Sequence, residues 1–142
     1  MTIALPCVNT EAYGEHMHAA MIVKALSIAG AVMLVGLAAV HSILGEHRIF
    51  RPLTESGAMP TGFRVRYVHG CWHLASIAWL GLAGALIGST FAGTGANALV
   101  LAAVGTASLV HCVIIGGLSG GRHFGTWGFL IVALLCAGAA LG

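Results

Sequence analysis

Long apolar runs separated by short polar segments dominate the pattern of this chain. The apolar runs cover about 19–44, 68–92, 97–118 and 124–142, and none of them alternates between polar and apolar positions. About 20 helical residues, each rising about 1.5 Å, cross a hydrocarbon layer of about 30 Å. In lipid only helices and closed barrels satisfy the backbone, and barrel strands alternate, so these runs predict helices. The pattern therefore predicts an all-α integral membrane bundle of four transmembrane helices.

Polar segments divide the rest of the chain. Residues 1–18 form a mixed polar segment that precedes the transmembrane domain of residues 19–142. The one substantial polar loop covers residues 45–67, and the later connections are short turns rich in glycine. Because glycine commonly follows the last residue of a helix, we expect Gly45 to end the first helix.

The basic residues predict an orientation in the membrane. The first loop and the turn between helices 3 and 4 carry all five arginines, whereas the opposite side carries only Lys24. Basic residues are concentrated in cytoplasmic loops, so both arginine-bearing connections are predicted to be cytoplasmic. The chain is then a multi-pass protein of the cell inner (plasma) membrane, with the polar N-terminal segment and both termini on the non-cytoplasmic side. The arginines are Arg48, Arg51, Arg64, Arg66 and Arg122.

Composition agrees with this location and excludes some functions. The chain is 58% hydrophobic and 7% charged, whereas soluble domains carry about 25% charged residues. The net charge is +2 without a basic, aromatic-interleaved patch, so no nucleic-acid partner is expected. The 21 glycines suit close approach of helices, and Gly84-x-x-x-Gly88 is a candidate packing groove. The four cysteines form no C-x-x-C pair, so we expect them to be small packing residues.

Histidines gather toward the arginine-bearing side of the predicted membrane domain. At about 1.5 Å per residue, His73 and His111 lie roughly 8–9 Å inside that boundary, and His41 lies slightly shallower. Ionisable side chains in membrane helices are costly and mark functional sites, and imidazole is the commonest ligand of transition metals. We therefore predict a metal site, for Fe, Cu or Zn, in the cytoplasmic leaflet. The candidate ligands are one glutamate and five histidines: His41, Glu46, His69, His73, His111 and His123.

The same residues leave other functions open. A b-type haem needs two axial histidines from different helices at one depth, and His73 and His111 meet that requirement. Histidines in membrane helices also hydrogen-bond neighbouring helices without binding a ligand. A metal would serve redox chemistry on a lipid-soluble substrate such as a quinone, or it would be structural, so catalytic residues are not assigned. A remaining alternative is that the chain is a non-catalytic accessory subunit of a larger membrane complex. The expected partners are the lipid bilayer and either further copies of the chain or a larger membrane complex.

Three short motifs resemble those of a family of small uncharacterised bacterial membrane proteins with four helices. They are HSILGE at 41–46, WH at 72–73 and GRH at 121–123, and the resemblance covers most of the chain from about residue 30. It implies a four-helix membrane topology and points to His41, Glu46, His73 and His123. It implies no activity.

Overall fold

The structure is built from helices joined by short connections. The computed structural model describes residues 10–59, 62–92 and 94–142. In chain order its elements are α1 (Thr10–Gly45), a π-helical turn (Glu46–Phe50), α2 (Arg51–Glu55), α3 (Phe63–Ser89), α4 (Thr94–Ser119) and α5 (Phe124–Leu141). Four helical stretches of the described chain are long and apolar enough to cross a membrane: Gly14–Glu55, Phe63–Ser89, Gly95–Ser119 and Phe124–Leu141. The predicted all-α bundle of four transmembrane helices is confirmed.

Two helices extend beyond the apolar runs that predicted them. α1 begins at Thr10 rather than near residue 19, so residues 10–18 of the polar segment belong to the first helix. α3 likewise begins at Phe63 rather than near residue 68. Hydropathy marks where a helix meets lipid, whereas its backbone hydrogen bonds continue into polar surroundings. The first nine residues of the predicted polar segment lie outside the described residues.

The expectation that Gly45 ends the first helix is wrong. Gly45 has right-handed helical angles, φ −58° and ψ −47°, and the chain continues through the π-helical turn into α2. Much of the predicted loop of residues 45–67 is therefore helical. Pro52 stands at the start of α2, where its missing N–H costs nothing. An exposed ion pair, Arg51 Nε to Glu55 Oε1 at 2.9 Å, spans the short helix, and Gly57 then turns the chain with φ +70°.

α1 is one of two long helices, with α5, that pack extensively on two others. It packs extensively on α3 and α5, and α5 packs on α4, whereas α3 and α4 make fewer contacts. Leu34 of α1, Leu86 of α3, Val104 of α4 and Phe129 of α5 are almost completely buried in the shared core. The apolar side chains on the outer faces are exposed, as expected for helices whose surroundings are lipid rather than water.

Some glycines lie at helix contacts, although not the pair singled out by spacing. A Cβ atom on Gly105 of α4 would lie 3.1 Å from the Cβ of Cys136 on α5, so these helices approach closely there. Gly84 and Gly88 of α3 have nothing within 4 Å of that position in the described part of the chain. The candidate groove at Gly84-x-x-x-Gly88 is therefore not a contact between helices of this chain.

The five arginines lie at one end of the bundle, which we call the arginine end. Arg48 is in the π-helical turn, Arg51 is in α2, and Arg64 and Arg66 are in the first turn of α3. Arg122 is in the connection between α4 and α5. The placement of all five arginines at this end predicts that it is cytoplasmic. The side of the membrane on which it lies stays a prediction.

Candidate functional site

A cavity of about 450 Å³ opens inside the bundle near the arginine end. All four long helices line it, and its walls are mainly apolar and aromatic side chains, including Leu37, Trp79 and Phe129. Its polar lining comes from a small set of side chains: His41, Arg48, Trp72, Ser119 and His123. Small-molecule sites commonly have this volume and a mostly apolar wall with a few polar groups. We call it the arginine-end cavity.

His41 lines this cavity and packs against two tryptophans. Its ring lies flat on the indole of Trp72, with centroids 4.1 Å apart and planes 7° apart. Trp79 meets the same ring edge-on at 4.8 Å. The Nε2 atom of His41 is buried and has no hydrogen-bond partner among the described residues. A buried polar atom without a partner costs about 1–3 kcal/mol.

Trp72 positions His41, and Gly45 makes room for it. The indole Nε1–H of Trp72 donates to the carbonyl oxygen of His41 at 3.1 Å. A Cβ atom on Gly45 would lie 2.5 Å from Cε2 and 2.8 Å from Cζ2 of Trp72. Gly45 is therefore required because the indole lies against the helix backbone, and not because the helix ends there. On the other side of Trp72, Phe50 fills the π-helical turn, with its ring 5.4 Å from the indole.

His123 sits at the start of α5 and has a defined tautomer when neutral. Its backbone is extended, and its Nδ1 accepts a hydrogen bond from the N–H of Gly125 at 3.1 Å. The side chain thus caps the helix as Ser or Asn commonly does. Because Nδ1 is the acceptor, the proton of the neutral ring is on Nε2. His123 lines the cavity, and its neutral ring therefore offers a hydrogen-bond donor, Nε2–H.

The remaining predicted ligands lie apart and make different contacts. His69 packs edge-on against Phe50 at 4.1 Å, and its Nε2 is buried without a partner in the described residues. His111 donates through Nδ1 to the Ala107 carbonyl at 2.8 Å. Its ring stacks on Phe129 at 4.9 Å. Glu46 is exposed rather than folded back toward the histidines.

His73 is engaged by α1 rather than by α4. Its Nδ1 lies 3.1 Å from the hydroxyl of Ser42, which also donates to the hydroxyl of Ser76 at 2.9 Å. The arrangement in which His73 and His111 face each other across the bundle is therefore not seen. These two histidines have separate partners, which gives the b-haem hypothesis no support from their placement.

No cluster within residues 10–59, 62–92 and 94–142 brings three His, Cys, Asp or Glu side chains together as ligands for one metal ion. The metal site stays a prediction from the sequence, without a ligand group in the described geometry to support it. No family model, curated protein or solved structure matches the chain.

Sequence reasoning missed the aromatic residues that line the cavity at the arginine end. Trp79 and Phe129 are 6% and 1% exposed and form the floor of the cavity, yet both occur in apolar runs where any large residue would fit. Trp72 stacks on His41. One sequence signal could have found this contact. His41 in the first predicted helix and Trp72 in the second lie at the same depth from the arginine-bearing boundary.

Proposed function

We propose that the protein binds a lipid-soluble carbonyl compound of the quinone class in the arginine-end cavity. The observation that carries the proposal is the cavity itself, which all four long helices line with aromatic and aliphatic side chains. Such walls favour a flat apolar ring or an isoprenoid tail over an ion. The proposal keeps the lipid-soluble substrate expected from the sequence and does not need a metal.

The polar groups at the cavity suit carbonyl oxygens. The neutral His123 ring carries its proton on Nε2, so it donates. The Arg48 guanidinium also donates only, and it lines the same cavity. His41 lines the cavity through its ring, because its Nε2 is buried and out of reach of a ligand. A quinone presents two acceptor oxygens on an apolar ring, which matches few donors in an apolar cavity.

The binding test uses the fluorescence of the cavity tryptophans. The full chain carrying Trp127→Phe is purified in mild detergent, because Trp127 is exposed and does not line the cavity. A short-chain benzoquinone is then titrated against the emission of Trp72 and Trp79. Binding at one site gives saturable quenching. Quenching that rises linearly with quinone concentration, as for a quinone dissolved in the micelle, would overturn the proposal.

Two variants at the cavity sharpen this test. His123→Asn keeps a side-chain oxygen that caps α5 but removes the Nε2 donor, so we expect affinity to fall by up to about tenfold. The matched control is His18→Asn, the same change at an exposed histidine far along α1 from the cavity. Equal affinities for the two variants would show that His123 does not contact the ligand.

A further inference from the structure

A second concave surface lies between α1 and α3, on a different face of α1 from the arginine-end cavity. It encloses about 330 Å³ and shares no lining residue with that cavity. Its apolar part is formed by Val35 and Ala38 of α1 and by Ile77 and Leu80 of α3. Its polar part is formed by Ser42, His73 and Ser76. We call it the α1–α3 groove.

The polar group in this groove leaves one nitrogen without a partner. Ser42 Oγ lies 2.9 Å from Ser76 Oγ and 3.1 Å from His73 Nδ1. Since Ser42 gives its one hydroxyl proton to Ser76, the ring proton of His73 lies on Nδ1 and is donated to Ser42, which leaves Nε2 as an acceptor. The second ring nitrogen, Nε2, makes no hydrogen bond within the described residues, and it is not among the fully buried polar atoms there. It is therefore reachable from outside the bundle.

The depth of His73 makes an unpartnered nitrogen expensive. At about 1.5 Å per residue, His73 lies roughly 8 Å inside the hydrocarbon boundary, if that boundary falls near the Tyr67–Val68 bond. Water is scarce at that depth, and polar side chains on the lipid side of membrane helices are rare. A ligand from the bilayer that hydrogen-bonds Nε2 would remove this cost.

We propose that the α1–α3 groove is a binding site for a neutral lipid with a free hydroxyl, such as a diacylglycerol. A free hydroxyl donates a hydrogen bond, so it complements the acceptor nitrogen Nε2 of His73. A charged headgroup would not descend to this depth. The acyl chain lies along the apolar part of the groove, beside Val35 and Leu80. This proposal does not depend on the ligand of the arginine-end cavity.

The shape of the groove favours a lipid over a second copy of the chain. A two-fold dimer through this face would set the same surface against itself, groove against groove. Two concave surfaces leave a void between them, and close packing is what drives helices together in a bilayer. A flexible acyl chain fills such a groove without this penalty.

The test is photolabelling of the full chain in phosphatidylcholine vesicles. The probe is a diacylglycerol with a diazirine in one acyl chain, and peptide mass spectrometry maps the adducts. We expect adducts on the segments 35–43 and 77–80, displaced by unlabelled diacylglycerol. A second competitor is the same diacylglycerol with its hydroxyl capped as a methyl ether. It should displace the probe about tenfold less well, because it lacks the O–H that donates to His73. Adducts spread evenly over the lipid-facing surface would overturn the proposal.

Two variants separate the hydrogen bond from the shape of the groove. His73→Phe removes the nitrogen and keeps a ring, so the concentration of diacylglycerol for half displacement should rise about threefold to tenfold. Leu80→Trp fills the groove and leaves His73 in place, and it should abolish the groove adducts. Unchanged labelling in either variant contradicts the proposal, as does an intersubunit crosslink through the groove. If His73→Phe does not fold, the comparison of the two competitors on the unaltered chain still decides.

Discussion

Gly45→Ala should disrupt the arginine end of the bundle although the position lies within a continuous helix. The new Cβ atom would lie 2.5 Å from Cε2 and 2.8 Å from Cζ2 of the Trp72 indole. The indole cannot move away freely, because it donates to the carbonyl of His41 and stacks on the His41 ring. The substitution therefore displaces Trp72, or it bends α1 away from α3.

The size of the effect follows from two opposing terms. Overpacking of a well-packed site costs about 1–3 kcal/mol, and loss of the indole hydrogen bond adds about 1 kcal/mol. Alanine in place of glycine in a helix gains back about 0.5–1 kcal/mol. Gly36→Ala on the same helix is the matched control, since nothing lies within 4 Å of its Cβ position in the described residues. Because both variants share the alanine gain, we expect them to differ in unfolding free energy by about 2–4 kcal/mol.

The measurement is unfolding of each variant in mixed micelles with increasing denaturing detergent, followed by tryptophan emission. Gly36→Ala should match or exceed the stability of the unaltered protein. Gly45→Ala should unfold earlier, and its folded-state emission should shift because Trp72 has moved. Equal unfolding midpoints for the two glycine variants would refute the reasoning that the indole of Trp72 requires a glycine at this place.

Other expectations test the site, the metal and the orientation. His41→Phe keeps the ring on Trp72 and removes the buried Nε2, so unfolding in detergent should show a gain of about 1 kcal/mol; a loss of stability would mean that Nε2 has a partner. Elemental analysis of protein purified without a histidine tag tests the sequence-based metal site: about one equivalent of Fe, Cu or Zn, lost in His73→Ala, would support it, and metal that persists in that variant would exclude His73 as a ligand. Ser56→Cys in a cysteine-free chain should react with an impermeant thiol reagent only from the cytoplasmic face, and reaction from outside would invert the predicted orientation.

The histidines of this bundle serve mainly as flat polar rings in an aromatic cluster. His41 stacks on Trp72, His111 stacks on Phe129 and His69 meets Phe50 edge-on. Imidazole suits such positions because it packs like an aromatic ring and still offers a nitrogen to a neighbouring helix or to a ligand. The proposed quinone site uses Nε2 of His123, and the proposed lipid site uses Nε2 of His73.

The sequence by itself determined the number of long apolar helices, the end of the bundle that carries the arginines, and the position of each histidine along its helix. These follow from hydropathy and from a fixed rise per residue, which are properties of one chain segment at a time. Depth is only one of two coordinates, because the face of a helix on which a side chain lies depends on how the helices pack around each other. Tertiary structure alone decided that His73 meets Ser42 and His111 meets Phe129. It also decided that Gly45 makes room for Trp72. The sequence alone does not distinguish a glycine that ends a helix from one that leaves space for a neighbouring ring.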